Sequence, residues 1–141
     1  MQDIIQRQEY AMKKIVIPLV SAMLALSLAG CGKYVSSYKA LGFVHSNKSD
    51  SAYMSFASFE GRMVFRLKSS GEGDLKYSAR LESGSAVVYY DFYGDKQELF
   101  SISGGEGADS RGGYVEAGTV YIIVETDGGC QNGEFRFSLD E

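Results

Sequence analysis

Few side chains in this 141-residue sequence are suited to making or breaking bonds. It has one histidine, His45, set in the polar stretch GKYVSSYKALGFVHSNKSD with no nucleophile in an elbow-type context nearby. A nucleophile needs a base within hydrogen-bond reach and a third group to orient that base, and no such set can be named. Carboxylate pairs such as Asp91 with Asp95 could divide acid and base roles. With 18 Asp and Glu in the chain, some such pair is inevitable and carries no information. The sequence therefore reads as that of a non-enzyme. The tyrosines are better placed. Tyr89 and Tyr93 fall on one face of the strand SAVVYYDFY with Asp91 between them, and Tyr121 points outward from another strand. Flat rings flanked by a carboxylate suit stacking on a sugar or packing against a partner protein. The same rings paired across strands would simply stabilise a sheet, by roughly 0.2–1 kcal/mol per pair. The absence of Trp weakens the sugar reading.

A second oxygen-rich stretch is SGGEGADSRGG. Gly104-Gly105-Glu106-Gly107-Ala108-Asp109 resembles the Gly-Gly-x-Gly-x-Asp opening of the calcium-binding nonapeptide repeat. Arg111 stands where that repeat wants a large apolar residue, and no second copy begins at Gly113. The repeat holds calcium between stacked turns, so a lone copy lacks half its site. The stretch is read as a flexible loop at the edge of the domain. Calcium takes roughly 6–8 oxygens, and Glu106, Asp109, Glu116 and Asp127 are the residues that could converge on one at one end of the domain. No other cofactor is implied.

The two cysteines have different settings. Met12-Lys13-Lys14 is a short positive region, and Ile15 to Gly30 is sixteen residues without charge. A permanent span needs about 20 apolar residues, whereas a secretory signal needs fewer and ends in small residues. Leu28-Ala29-Gly30-Cys31 resembles the lipobox of bacterial lipoproteins. The resemblance implies cleavage between Gly30 and Cys31 and a diacylglyceryl thioether on Cys31. Two acyl chains hold a protein on a membrane where one barely does. Asp3 and Glu9 do not suit a signal, so residues 1–11 read as an extension upstream of a start at Met12. The resemblance implies a protein on the extracytoplasmic face of the cell membrane, with the outer membrane open to it in a two-membrane bacterium.

From Cys31 onward the chain has 111 residues, 11 Lys and Arg and 16 Asp and Glu, a net charge of −5. That length builds one domain with a real core. The acidity excludes the clustered basic face of a nucleic-acid binder. With Cys31 lipidated, Cys130 has no partner for a disulfide within the domain and reads as a small residue near a turn. Residues 31–50 read as a lipidated tether from which Tyr34, Tyr38, Leu41 and Phe43 could dock on the domain. From residue 51 to 141 apolar residues recur with period two between turn residues, the sign of half-buried strands. RMVFRLK, LKYSARLE and EFRFSL alternate cleanly, while TVYIIVET and SAVVYYDFY are apolar on both faces. Shorter strands are expected at Tyr53–Phe59 and Glu98–Ile102, and hairpin turns at Asp127-Gly128 and Asn132-Gly133. Seven or eight such strands and no helical period predict an all-β, antiparallel, jelly-roll-like β-sandwich behind the N-terminal signal helix. Its inner faces would come from Phe65, Leu67, Leu75, Tyr77, Val88, Tyr90, Val120, Ile122, Val124, Phe135 and Phe137.

The closing stretch GGYVEAGTVYIIVETDGGCQNGEFRFSL resembles the last strands of bacterial pre-peptidase C-terminal domains. Gly118-Thr119 opens an aromatic and β-branched strand there, and Gly133-Glu134-Phe135-Arg136-Phe137 forms the final one. Such domains are accessory modules of secreted enzymes, and small lipoproteins with one such sandwich are an equally good resemblance. The expectation is a monomeric, membrane-anchored, non-enzymatic binding or structural module whose partner is an envelope protein or a glycan. The rival expectations are a calcium-stabilised module and a small hydrolase.

Overall fold

The computed structural model describes residues 34–140. The signal segment 1–30, its extension 1–11, and the Gly30–Cys31 cleavage and lipidation site lie outside the described residues. Every regular element among the described residues is a β-strand: β1 (Ser37–Leu41), β2 (Val44–Asn47), β3 (Ser51–Ser69), β4 (Gly73–Ser83), β5 (Ser85–Phe92), β6 (Asp95–Ser103), β7 (Glu106–Val115), β8 (Gly118–Thr126) and β9 (Cys130–Asp140). All pairings are antiparallel, in the order β6-β5-β8-β3-β9-β4-β7, with β1 and β2 on β3.

The expected strands at Tyr53–Phe59 and in RMVFRLK are one continuous strand. The first half of β3 pairs with β9 and the second with β8, so β3 belongs to two layers. One layer is β6-β5-β8 with the second half of β3; the other is the first half of β3 with β9-β4-β7. Gly61 sits where the strand passes from one to the other. Its φ of 131° suits glycine, and a Cβ there would fall 2.3 Å from the Ser37 carbonyl oxygen. The layers meet through inward aromatics. Tyr77 of β4 stacks on Phe100 of β6 at 4.3 Å, and Phe65 of β3 lies 6.2 Å from Phe137 of β9. Ten of the eleven expected core residues are buried, and Tyr77 is partly so. Met54, Phe56, Phe59, Met63, Leu81, Ile102 and Val115 join them. A fully buried Phe or Leu contributes roughly 1.5–3 kcal/mol, which this alternation delivers from β3, β4 and β9.

Three expectations change. Residues 37–47 are not a tether: β1 and β2 pair with β3 in one register, interrupted at Gly42-Phe43. The driving contacts are Tyr38 stacked on Phe59 at 5.1 Å and Phe43 at 5.5 Å from Phe59. SGGEGADSRGG is not a flexible loop. Gly104-Gly105 turns β6 into β7, and β7 pairs with β4 along its length. Asn132-Gly133 is not a hairpin turn either; Asp127 to Gly129 makes that connection, and Asn132-Gly133 lies inside β9. Asn132 keeps the positive φ, 49°, that the sequence suggested. It kinks the strand there, so that the buried phase shifts from Cys130 to Gly133 on β9 and from Phe56 to Phe59 on β3. Gly133 is required by space, since a Cβ would stand 2.5 Å from the Phe56 ring.

Candidate functional site

The register of five strands lines up one outward row: Ser46 of β2, Tyr53 of β3, Arg136 of β9, Ser78 of β4 and Asp109 of β7. Each stands outward because its neighbours along the strand, such as Met54 and Phe137, are held in the core. The rows on either side add Ser51, Ser138, Lys76 and Arg111, and Val44, Ser55, Glu134 and Arg80. At the centre the Arg136 guanidinium lies 4.5 Å over the Tyr53 ring. The Tyr53 hydroxyl donates to Glu134 Oε2 at 3.1 Å. Glu134 also receives Arg136 Nη2 at 3.5 Å and Arg80 Nε at 3.7 Å. Exposed ion pairs of this kind contribute about 0–1 kcal/mol, and an exposed cation–π pair about 0.5–1. Their value here is orientation: the Tyr53 ring and the Arg136 fork are held in place in the middle of the sheet.

Two depressions open on either side of this centre and share Tyr53. One, of about 610 Å³, is walled by Ser46, Lys48, Ser51, Lys76, Ser138 and Asp109. The other, of about 710 Å³, is walled by Ser55, Arg80, Glu82, Glu106, Asn132 and Glu134. Lys48 and Lys76 form no ion pair among the described residues, whereas Arg111 is bound to Asp140 at 2.6 Å. The first depression thus offers hydroxyls and two unpaired cations, and the second offers carboxylates and an amide. A long, hydroxyl-rich ligand could lie across both, stacked on Tyr53 and hydrogen-bonded by Arg136.

The tyrosines singled out from sequence lie on the other layer. Asp91 is buried, and its Oδ1 accepts the Gly94 N–H at 2.8 Å, fixing the β5–β6 turn. Tyr93 occupies that turn, with a φ of 64°, and is 78% exposed. The ring of Tyr89 is capped by Lys96 Nζ at 4.3 Å. Tyr121 sits opposite Asp91 and Arg66 in the register, one row from Ile123, which is fully buried. These residues share a layer, but Asp91 does not stand as a free carboxylate between two rings.

The expected calcium ligands do not converge. Glu106 and Asp127 lie at the end of the sandwich where β9 begins, Glu116 lies at the opposite end, and Asp109 is midway along β7. Glu106 Oε1 accepts the Ser103 N–H at 2.7 Å and closes its own hairpin. Among the described residues no group of three or more His, Cys, Asp and Glu could hold a metal ion. The geometry of β7 explains this: pairing with β4 spreads the would-be loop into a strand. His45 lies on β2, its ring 4.9 Å from that of Phe43. Cys130 is buried at the start of β9, and its thiol donates to the Ser85 carbonyl at 3.3 Å. Burial, foremost, pushes that thiol's pKa up from 9.0, so it is held as the unreactive thiol.

Sequence reading missed the Tyr53–Arg136–Glu134 centre. Lys76, Ser78, Arg80, Glu134, Arg136 and Ser138 were all legible as the outward phase of their strands. What was not legible is that β4 and β9 are neighbours and that β3 brings Tyr53 beside them. One usable signal was the number of serines and arginines on those outward phases.

A single antiparallel β-sandwich with an open, polar groove across one layer is the class that this fold and site define. No protein-family model matches the sequence, and comparison with curated proteins finds no match. Among solved structures the chain is similar to TmCBM61 in complex with β-1,4-galactotriose, at 15% identity and a TM-score of 0.45 over 75% of this chain and 88% of that one. It is similar to the pre-peptidase C-terminal domain of collagenase from Bacillus anthracis, at 11% identity and a TM-score of 0.43 over 75% and 90%. A variant of a carbohydrate-binding module of family 29 is similar at 16% identity and a TM-score of 0.38 over 74% and 90%.

Proposed function

We propose that this chain is a lipoprotein, anchored through Cys31 on the extracytoplasmic face of the membrane, whose sandwich binds a glycan of the cell envelope without catalysing a reaction. The observation that carries the binding reading is the row Ser46–Tyr53–Arg136–Ser78–Asp109 crossing five strands between two depressions that share Tyr53. A ring with a guanidinium beside it and hydroxyls along both flanks recognises a chain of hydroxyls by stacking and directed hydrogen bonds. The signal-like segment and lipobox of the sequence support the anchor.

The test is a glycan array screened with full chain carrying Cys31→Ala, followed by calorimetry on any hit. Tyr53→Ala and Arg136→Gln are each expected to weaken capture about tenfold or more, as removal of a central ring or a charged hydrogen-bonding group does. Their melting temperatures should stay close to the parent's, because both side chains lie on the surface. Capture that survives both substitutions sinks this site.

A further inference from the structure

The edge strand formed by β1 and β2 has a surface unlike any other in the domain. Of the six exposed large apolar residues among the described residues, four lie in ten residues of chain: the aliphatics Val35 at 65%, Leu41 at 70% and Val44 at 59%, and Tyr38 at 40%. On β1 the register turns Tyr38 and Ala40 toward Gly61 and Phe59, so Lys39 and Leu41 take the opposite phase, and Val35 stands exposed just ahead of the strand. Past Gly42 the phase shifts, and Val44 pairs with Ser55 on the outward side. The row of aliphatics therefore continues through the interruption. Its charge is equally one-sided. Lys33, Lys39 and Lys48 are the only charged residues between Cys31 and Ser49, and the first of the carboxylates that make the domain acidic is Asp50. Lysine alone is a common guard against edge-to-edge pairing, but guarding an edge does not call for three bare aliphatics beside it.

The position of this edge names its occupant. Val35 is four residues from Cys31, and a chain spans at most about 3.3–3.6 Å per residue. An acyl-bearing Cys31 therefore keeps the start of the edge strand within about 14 Å of the membrane interface. We propose that Val35–Lys48 is a bilayer-docking surface. Val35, Leu41 and Val44 enter the interface of the anionic leaflet that holds the Cys31 acyl chains, and Lys39 and Lys48 lie among its headgroups. Aliphatic contact with basic residues around it is the chemistry by which proteins lie on such a surface, and the lysine stems reach headgroups while their methylenes stay apolar. The docking orients the domain, because Ser46 and Lys48 also wall the first depression. One end of the groove is thereby held beside the membrane.

This inference rests on the reading of Cys31 as the lipid anchor, and the experiment separates the two. Leu41→Cys and, independently, Val44→Cys are made in the full exported chain and labelled with bimane, the native Cys130 being buried. The proteins are reconstituted in phosphatidylglycerol-containing vesicles whose acyl chains are brominated near the headgroup. A Ser101→Cys variant on β6 is the control, and the mass of the Cys31 peptide reports the lipid. The expected result is a diacylated Cys31, bimane emission at 41 and 44 reduced about twofold or more, and none of that loss at 101. A diacylated Cys31 without quenching at 41 and 44 overturns the docking and leaves the anchor standing. A blue shift without quenching marks a protein partner or second copy on this edge and likewise overturns it. A Cys31 without lipid overturns both.

Discussion

On the β5–β8 layer the polar groups are spent inside the sheet, whereas on the β3–β9–β4–β7 layer they converge and leave groups to spare. Asp91 is buried near the end of β5 and holds the turn that follows, Lys96 covers Tyr89, and Lys96 and Arg62 both pair with Glu125 at 3.3 and 3.0 Å. Across the sandwich Tyr53, Arg136 and Glu134 brace one another, and Lys48 and Lys76, without an ion pair among the described residues, stand over a depression of about 610 Å³. Both layers carry tyrosine beside carboxylate. The difference lies in what the carboxylate is holding. A side chain that fixes its own turn is structure; one that fixes a ring and a guanidinium in an open groove is a platform.

The largest expected effect that separates the layers comes from Asp91→Ala. Losing the hydrogen bond from the Gly94 N–H to the buried Asp91 carboxylate costs about 1.5–3 kcal/mol, as for a hydrogen bond to a charged group, a fall in melting temperature on the order of 10 °C. Glycan capture by the folded protein should be unchanged. Lost capture with an unchanged melting curve would move the site to the β5–β8 layer and reverse the comparison.

A second effect comes from pH. The Tyr114 hydroxyl donates to Glu72 at 2.7 Å, and that hydrogen bond, foremost, pushes its pKa up to about 12. Tyr90 is also raised above 10.0, by burial first and then by Asp95 and Asp74, and Cys130 is raised above 9.0 by burial. Each is an acid that the fold holds in its protonated form. The stability it contributes is whole below the unfolded value and is lost as pH climbs toward the raised one. Thermal melts from pH 8 to 12 should therefore fall with rising pH from about 9, and less steeply in Cys130→Ala. A flat profile would contradict these assignments.

The smallest effect is expected at Tyr93. Among the described residues its ring is the most exposed of the large apolar side chains, and its hydroxyl reaches only the Ala117 carbonyl, at 3.5 Å. Tyr93→Ala should shift stability by no more than about 0.5 kcal/mol and leave glycan affinity intact. A tenfold loss of affinity would show that the turn, and not the groove, carries the ligand.

Much of the fold was legible because period two is a local signal. The alternation in RMVFRLK, LKYSARLE and EFRFSL placed Phe65, Leu75 and Phe137 in the core without reference to any partner strand. Residues 37–47 were misread because an edge strand shows no alternating apolar face, only Tyr38 and Phe43 reaching for Phe59. The site was less legible. Lys76 and Arg136 are polar residues on outward phases wherever the strands lie, and only non-sequential pairing makes them neighbours. Asp91 was misjudged for a different reason: a carboxylate three residues before a glycine is also a turn-former, and strand phase alone does not separate the roles.

The length of β3 bears on how the chain folds. A protein is made from its N-terminus, and this strand is complete well before either of its long partners. Ser51 must wait for Ser138, and Ser69 for Gly118. High contact order of this kind makes folding slow. In the interval a 19-residue amphipathic strand has both edges open except where β1 and β2 cover one of them. Such segments are where chains aggregate. The short edge strand that precedes β3 is already synthesised by then, so it can serve the newborn strand as a shield while the rest of the chain is still arriving.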